Sequence, residues 1–308
     1  MCSSKAAALA LLVAASGAVS GASPARPVSL THAAAEAAVQ AIKKDRTDTE
    51  KWLKSDPSSY LAAIDRRDFA GRPTLTVGRA ADTDVRLDDA GVSPHHVRIT
   101  ARRDGFLVQA VDASAQFEVK GKKTREASLG PSAIHVARYQ IRLSHQGFPA
   151  LIVFDPQSTR FKEYKGLKYF PIDLRYRYEL PLVPNPKPDT LVVLSTRGNE
   201  RPATRVGWFE FEVDGQPCRL EAVRLLEPGV GEQDVSVFFR DATTGGESYA
   251  VGRYVDPKKL PNGNYLLDFN FAYNPACAFS DYYNCPIPSK ANTLSVPVRA
   301  GEMDSHYH

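Results

Sequence analysis

Nowhere in the 308 residues is there a Cys-x-x-Cys pair, a glycine-rich phosphate loop or a Gly-x-Ser-x-Gly elbow. The first absence removes the usual start of a thiolate zinc site, and no histidine stands near the cysteines to replace it, so no metal is expected. The second leaves nucleotide phosphates without a backbone cradle, and no cofactor is expected. The third removes the nucleophile elbow of an α/β hydrolase. Charge of one sign is also lacking. With 39 basic and 35 acidic residues the net charge is +4, too weak and too interspersed for nucleic acid or an anionic membrane to be the main partner. What remains is ordinary globular composition, 43% hydrophobic and 24% charged, in a chain long enough for two domains. Twenty-two prolines and 20 glycines imply many turns and hence a β-rich fold.

The one conspicuous apolar run is N-terminal. Lys5 precedes Ala6–Ala15, and small residues follow to Ser23. One positive charge, a short apolar run and a small-residue exit describe a secretory signal peptide over 1–22. The run is shorter than the roughly 20 residues that cross a bilayer, so no integral span is expected in the mature chain. The reading is therefore an exported protein, periplasmic or extracellular. Export permits disulfides. Cys277 and Cys285 flank an aromatic loop and are the candidate staple, which leaves Cys218 as a small buried hydrophobe.

Residues 23–70 read as linker and short helices. Thr31 caps an Ala-rich helix to about Lys44, a second turn starts at Thr47/Asp48, and Asp56-Pro57 is a further N-cap and first-turn proline with Tyr60, Leu61 and Ile64 at helical spacing, one or two short helices in all. From Pro73 the apolar period becomes two, with short strands about ten residues apart, as in a β sandwich over 71–153. Its motifs run Gly78-Arg79, Asp84-Val85-Arg86-Leu87, Ser93-Pro94-His95-His96, Lys120-Gly121 and Ile141-Arg142-Leu143. This order resembles forkhead-associated (FHA) domains. The resemblance implies that Arg79 and Ser93 contact a phosphothreonine phosphate and that His96 supports the loop. Ala113-Ser114-Ala115-Gln116-Phe117 stands where that family has an asparagine and a Gly-Thr pair. The other reading is a sandwich kept as scaffold, with Arg79 and Ser93 bonded internally.

Residues 154–302 read as an antiparallel β barrel or sandwich, and 303–308 as a tail. Pro184-Asn185-Pro186-Lys187-Pro188 reads as a stiff connector outside regular structure. Asp214-Gly215 supplies the positive φ angles of a tight hairpin turn. Strands are expected at 234–240, 249–254, 264–271 and 293–299. The stretches Tyr164–Asp173, Asp241–Tyr254 and Asp268–Glu302, with Asp268-Phe269-Asn270, Ala272-Tyr273-Asn274-Pro275 and Cys285-Pro286, resemble the exported bacterial and archaeal family called domain of unknown function 1684. The resemblance implies architecture and a site location, not a reaction.

The aromatic loop around Asp268–Asn292 is the expected functional surface. Asp241, Tyr249, Arg253, Asp268, Asn270, Tyr273 and Asn274 are its ligand-binding candidates. Arginine among tyrosines and amides suits a carboxylate, phosphate or sugar. The bland reading of the same residues is a buried polar network that orders the loop. The expected role is non-catalytic binding of a small molecule or peptide, or a structural role. The alternative is a hydrolase on an envelope or extracellular substrate, working through carboxylates or the mid-chain histidines His95, His96, His135 and His145.

Overall fold

The computed structural model describes residues 24–306; the stretch expected to be a signal peptide, 1–22, and the last two residues of the expected tail lie outside the described residues. The chain is mostly β, with one long helix before two β units. Helix α1 (His32–Ser55) is continuous past Lys44 and Thr47, where a break between one or two short helices is expected. Thr31 caps it by accepting from the Ala34 N–H, and Thr47, read as a new start, returns its hydroxyl to the Lys43 carbonyl at 3.0 Å and stays inside the helix. Asp56 does not open a further helix. Its carboxylate accepts the Ser58 N–H at 2.7 Å, a 3-10 turn covers Tyr60–Ala62, and β1 (Ala63–Asp68) follows.

β1 therefore begins the sandwich inside the range read as linker. β2 (Thr74–Gly78), β3 (Val85–Arg86), β4 (Val97–Arg102), β5 (Gly105–Ala110), β6 (Phe117–Val119), β7 (Lys122–Thr124), β8 (Glu126–Leu129), β9 (Ser132–Val136), β10 (Tyr139–His145) and β11 (Pro149–Phe154) complete it. One sheet runs β3-β2-β4-β5-β8 and the other β1-β11-β10-β9-β6-β7. Between them Leu75, Val77, Ile99 and Val108 meet Ile134, Ile141, Leu143 and Val153. β11 is apolar at successive positions because both its faces are buried. Leu151 and Val153 enter the sandwich core, while Ile152 and Phe154 point the other way, onto Phe238, Tyr254, Cys277 and Tyr283 of the C-terminal unit.

That unit contains the four-residue helix α2 (Arg160–Glu163) and strands β12 (Arg177–Leu180), β13 (Val183–Leu194), β14 (Glu200–Val213), β15 (Gln216–Leu225), β16 (Val237–Phe239), β17 (Arg253–Val255), β18 (Lys258–Lys259) and β19 (Tyr265–Asp268). They form the sheets β13-β14-β15, β12-β19-β18 and β16-β17. The proline-rich connector lies within β13. It is tolerated because β13 is an edge strand whose register shifts between Pro184 and Asp189. The β14–β15 hairpin turns on Asp214 (φ 48°) and Gly215 (φ 77°). A register shift between Arg205 and Gly207 reverses which face of β14 points inward. Phe209 and Phe211 thus join the main C-terminal core, while Ala203, of the same parity, joins the cluster shared with β11.

Two expected strands are shorter than expected: 234–240 contributes β16 and 249–254 runs into β17. β19 ends at Asp268, whose carboxylate caps the 3-10 turn Phe269–Phe271. Residues 293–299 bury Leu294, Val296 and Val298 in alternation, yet they form no ladder. Their hydrogen bonds go to the Arg240 carbonyl, to the Ala242 N–H and to the Asp241 carboxylate.

Candidate functional site

The aromatic loop is held by carboxylates that have no oxygen to spare. Asp268 Oδ1 accepts the Asn270 N–H at 3.0 Å and its side-chain amide at 2.8 Å, while Oδ2 accepts from Arg177. Asn270 in turn holds Asp173 through both backbone groups, each at 2.9 Å. Asp241 Oδ1 accepts from the Thr243 N–H and hydroxyl, and Oδ2 from Arg253 at 3.0 Å and from the Val298 N–H at 2.7 Å. Arg253 is 1% exposed and donates further to the carbonyls of Val298, Ala300 and Glu302, between the rings of Phe170 and Phe239. Tyr249 donates to the Cys277 carbonyl at 3.2 Å. Asp241, Arg253 and Asp268 therefore rivet the loop from within.

Three candidates do come together on open space. Asn270, Tyr273 and Asn274 line a cavity of about 330 Å³ between the loop and α1. Sequence reasoning missed the rest of its wall: Asp45, Thr49 and Trp52 from α1, then Tyr60, Tyr169, Asp256, Phe279 and Glu302. A signal for the helical part exists. Asp45 and Thr49 fall on the same 3.6-period stripe as the buried Ile42 and Leu53, where apolar residues are expected. Trp52 and Tyr60 meet edge to face at 4.8 Å, and Tyr60 leans on Phe279 at 5.3 Å.

The polar groups here are incompletely satisfied. Glu302 accepts the Asn274 N–H at 2.8 Å, and burial pushes its carboxyl up to about 7. Burial also raises Asp256, which accepts the Tyr273 hydroxyl at 3.1 Å, and raises Asp45. Asn274 is 3% exposed and its Oδ1 has no hydrogen-bond partner, and the Tyr169 hydroxyl is equally unpartnered. Arg46 lies over the Tyr169 ring at 4.4 Å with Nε and Nη2 unmatched. Cys277 and Cys285 are adjacent thiols, with the Cys277 N–H donating to Cys285 Sγ at 3.2 Å.

On the sandwich, Arg79 and Ser93 share a polar cleft of about 590 Å³ with His96, Gln116, Lys123 and His135. Arg79 Nε donates to the Val92 carbonyl at 3.3 Å, and the Ser93 N–H donates to His96 Nδ1 at 3.0 Å. Internal bonding thus occupies the backbone of Ser93 and one corner of Arg79. Among the described residues no group of three or more His, Cys, Asp or Glu could hold a metal ion, and no helix is long and apolar enough to cross a membrane.

Residues 162–303 match the family model described as "Protein of unknown function (DUF1684)". The solution structure of an uncharacterized protein from gene locus rrnAC0354 of Haloarcula marismortui is 35% identical, covering 48% of this chain and 80% of that one, with a TM-score of 0.39. This chain belongs to the DUF1684 family. The DUF1684 region carries the riveted loop, and ahead of it residues 75–134 match the FHA domain model. The FHA domain of the CT664 protein from Chlamydia trachomatis is similar at 19% identity, over 27% of this chain and 76% of that one, with a TM-score of 0.20. No curated protein matches. An FHA-like β unit joined to a DUF1684 unit fits a binding or structural role.

Proposed function

We propose that this DUF1684 protein is an exported, non-catalytic binding protein that takes a small amine-bearing ligand between α1 and the aromatic loop. The observation that carries the reading is the unpartnered Asn274 Oδ1 beside the buried Glu302 carboxyl, both on the cavity wall. A carboxyl and an amide oxygen ask for a donor. Trp52, Tyr60, Tyr273 and Phe279 offer ring faces and edges to the rest of the molecule, and cationic nitrogens are held by aromatic faces and carboxylates together. The arginine expected to recognise an anion is consumed inside the fold by Asp241 and three carbonyls. Export rests on the leading apolar run, and in an oxidising compartment Cys277 and Cys285 join.

Thermal-shift and calorimetric titration of the mature chain with choline, putrescine, free amino acids, simple sugars and carboxylic acids tests the site. Amines are expected to bind, with affinity falling about tenfold or more in Glu302→Gln as a charge-assisted contact is lost. Binding of sugars or acids alone, or amine binding unchanged in that variant, sinks the reading. Mass spectrometry of periplasmic material without reductant is expected to find the Cys277–Cys285 bridge.

A second reading concerns the sandwich. Arg79 and Ser93 face one cleft with Lys123 and His135, which supports phosphothreonine-peptide binding there. A phosphothreonine library is expected to give binders that Arg79→Ala abolishes; a silent library dismisses the idea.

A further inference from the structure

A second cavity, of about 360 Å³, opens where β1 and β10 of the sandwich meet the C-terminal unit. Three arginines line it, Arg66 from β1, Arg142 from β10 and Arg201 from β14, and no aspartate, glutamate or lysine does. Two are already paired by carboxylates outside the wall. Arg66 donates to Asp68 at 2.7 Å and to the Tyr282 carbonyl, and Arg201 donates to Glu227 at 2.8 Å and to the Asn284 carbonyl. Arg142 is different. Its guanidinium lies over the Phe154 ring at 4.7 Å, and among the described residues no acceptor meets it. Arg142 is half-buried and, among the described residues, is the arginine of this wall that no carboxylate pairs.

Two further side chains on this wall are buried and unsatisfied. Tyr283 is 6% exposed and Asn284 4%, yet the Tyr283 hydroxyl and Asn284 Oδ1 have no partner. Buried polar groups are rarely left unbonded, and each unmatched one in a native fold calls for a reason. Burial also raises the Tyr283 hydroxyl well above its ordinary value, so it stays a donor. A donor hydroxyl, a guanidinium without a carboxylate and a lone acceptor thus belong to three residues that line one cavity.

We propose that this cavity, which adjoins the one under α1 and shares Tyr60 and Tyr273 with it, is a second binding site for a small oxyanion that carries a hydroxyl group. The anion's oxygens accept from Arg142 and the Tyr283 hydroxyl, and its own O–H donates to Asn284 Oδ1. Hydrogen phosphate, a phosphate monoester in its monoanionic form and a 2-hydroxy acid share this chemistry. Sulfate and acetate offer the charge without the hydroxyl.

Isothermal titration of the full mature chain with inorganic phosphate, glycerol phosphate, lactate, sulfate and acetate tests the site. At least one of the first three is expected to bind at least about fivefold more tightly than both sulfate and acetate, and which of them does so separates phosphate from carboxylate sources. Arg142→Gln is expected to weaken that binding by about tenfold or more while leaving any amine binding under α1 unchanged. Tyr283→Phe is expected to weaken it with the melting temperature unchanged or raised, since that hydroxyl has no protein bond to lose. Equal binding in wild type and Arg142→Gln overturns the proposal. So does the absence of binding by every anion at about 10 mM, and sulfate matching phosphate and lactate overturns the hydroxyl half.

Discussion

Burial raises the Glu302 carboxyl to about 7 against an ordinary value of 4.5, so between those limits the folded chain holds a proton that the unfolded chain has released. Stability from this group is fully present below the unfolded value and is lost as pH rises through the folded one. The loss amounts to roughly 3 kcal/mol by pH 8. Urea unfolding at pH 5 and pH 8 is expected to show that decline in wild type and to show it flattened in Glu302→Gln, which carries no titrating proton. An equal pH slope in both proteins refutes the assignment. Arg253 makes the opposite kind of statement. Its charge is fully enclosed and matched by Asp241, so Arg253→Met leaves a buried carboxylate alone. The expected cost is about 3–5 kcal/mol of unfolding free energy, read by urea titration, without any requirement that a ligand-binding residue has been touched.

Among the elements, two glycines with positive φ separate local from tertiary constraint. Gly215 (φ 77°) turns the β14–β15 hairpin, and a Cβ there meets nothing within 4 Å. Gly215→Ala is expected to cost only backbone strain, about 1 kcal/mol. Gly301 (φ 81°) lies against the Ala272 and Phe269 carbonyls, which a Cβ would approach to 2.4 and 2.7 Å. Gly301→Ala is expected to cost several times as much by thermal unfolding and to displace Glu302, the next residue. The contrast explains what was legible. Asp214-Gly215 was readable because its constraint is two residues long. The alternation of Leu294, Val296 and Val298 was readable as one buried face, but not its lack of a strand partner, because Asp241 satisfies the Val298 N–H from 57 residues away. The break at Thr47 was misplaced for the converse reason: a residue that often caps helices can instead bond back to the preceding turn. The cavity under α1 was half legible. Asn270, Tyr273 and Asn274 lie in one run of sequence, whereas Asp45, Trp52 and Glu302 reach the same wall only through the docking of α1.

At the scale of the molecule, the two β units share a core. Ile152 and Phe154 of β11 pack with Phe238, Tyr254, Cys277 and Tyr283, and Leu53 of α1 packs with Phe279 of the aromatic loop. Polar ties cross the same junction: Arg66 to the Tyr282 carbonyl, Arg197 to Asp68, and Arg160 to the Tyr60 carbonyl. A strand buried on both faces stabilises both of its neighbours, so removing one unit exposes apolar area on the other, at about 25 cal/mol per Å². The chain is therefore expected to unfold as one cooperative unit, with calorimetric and van't Hoff enthalpies that agree. Ile152→Ala, in the shared core and on the apolar wall of the second cavity, is expected to lower the unfolding free energy of that single transition by about 2–5 kcal/mol without splitting it. Two resolved transitions in wild type, of which only one moves in Ile152→Ala, would show units that fold separately. The cavity lined by Arg142 and Tyr283 would then sit on a hinge rather than in a fixed wall.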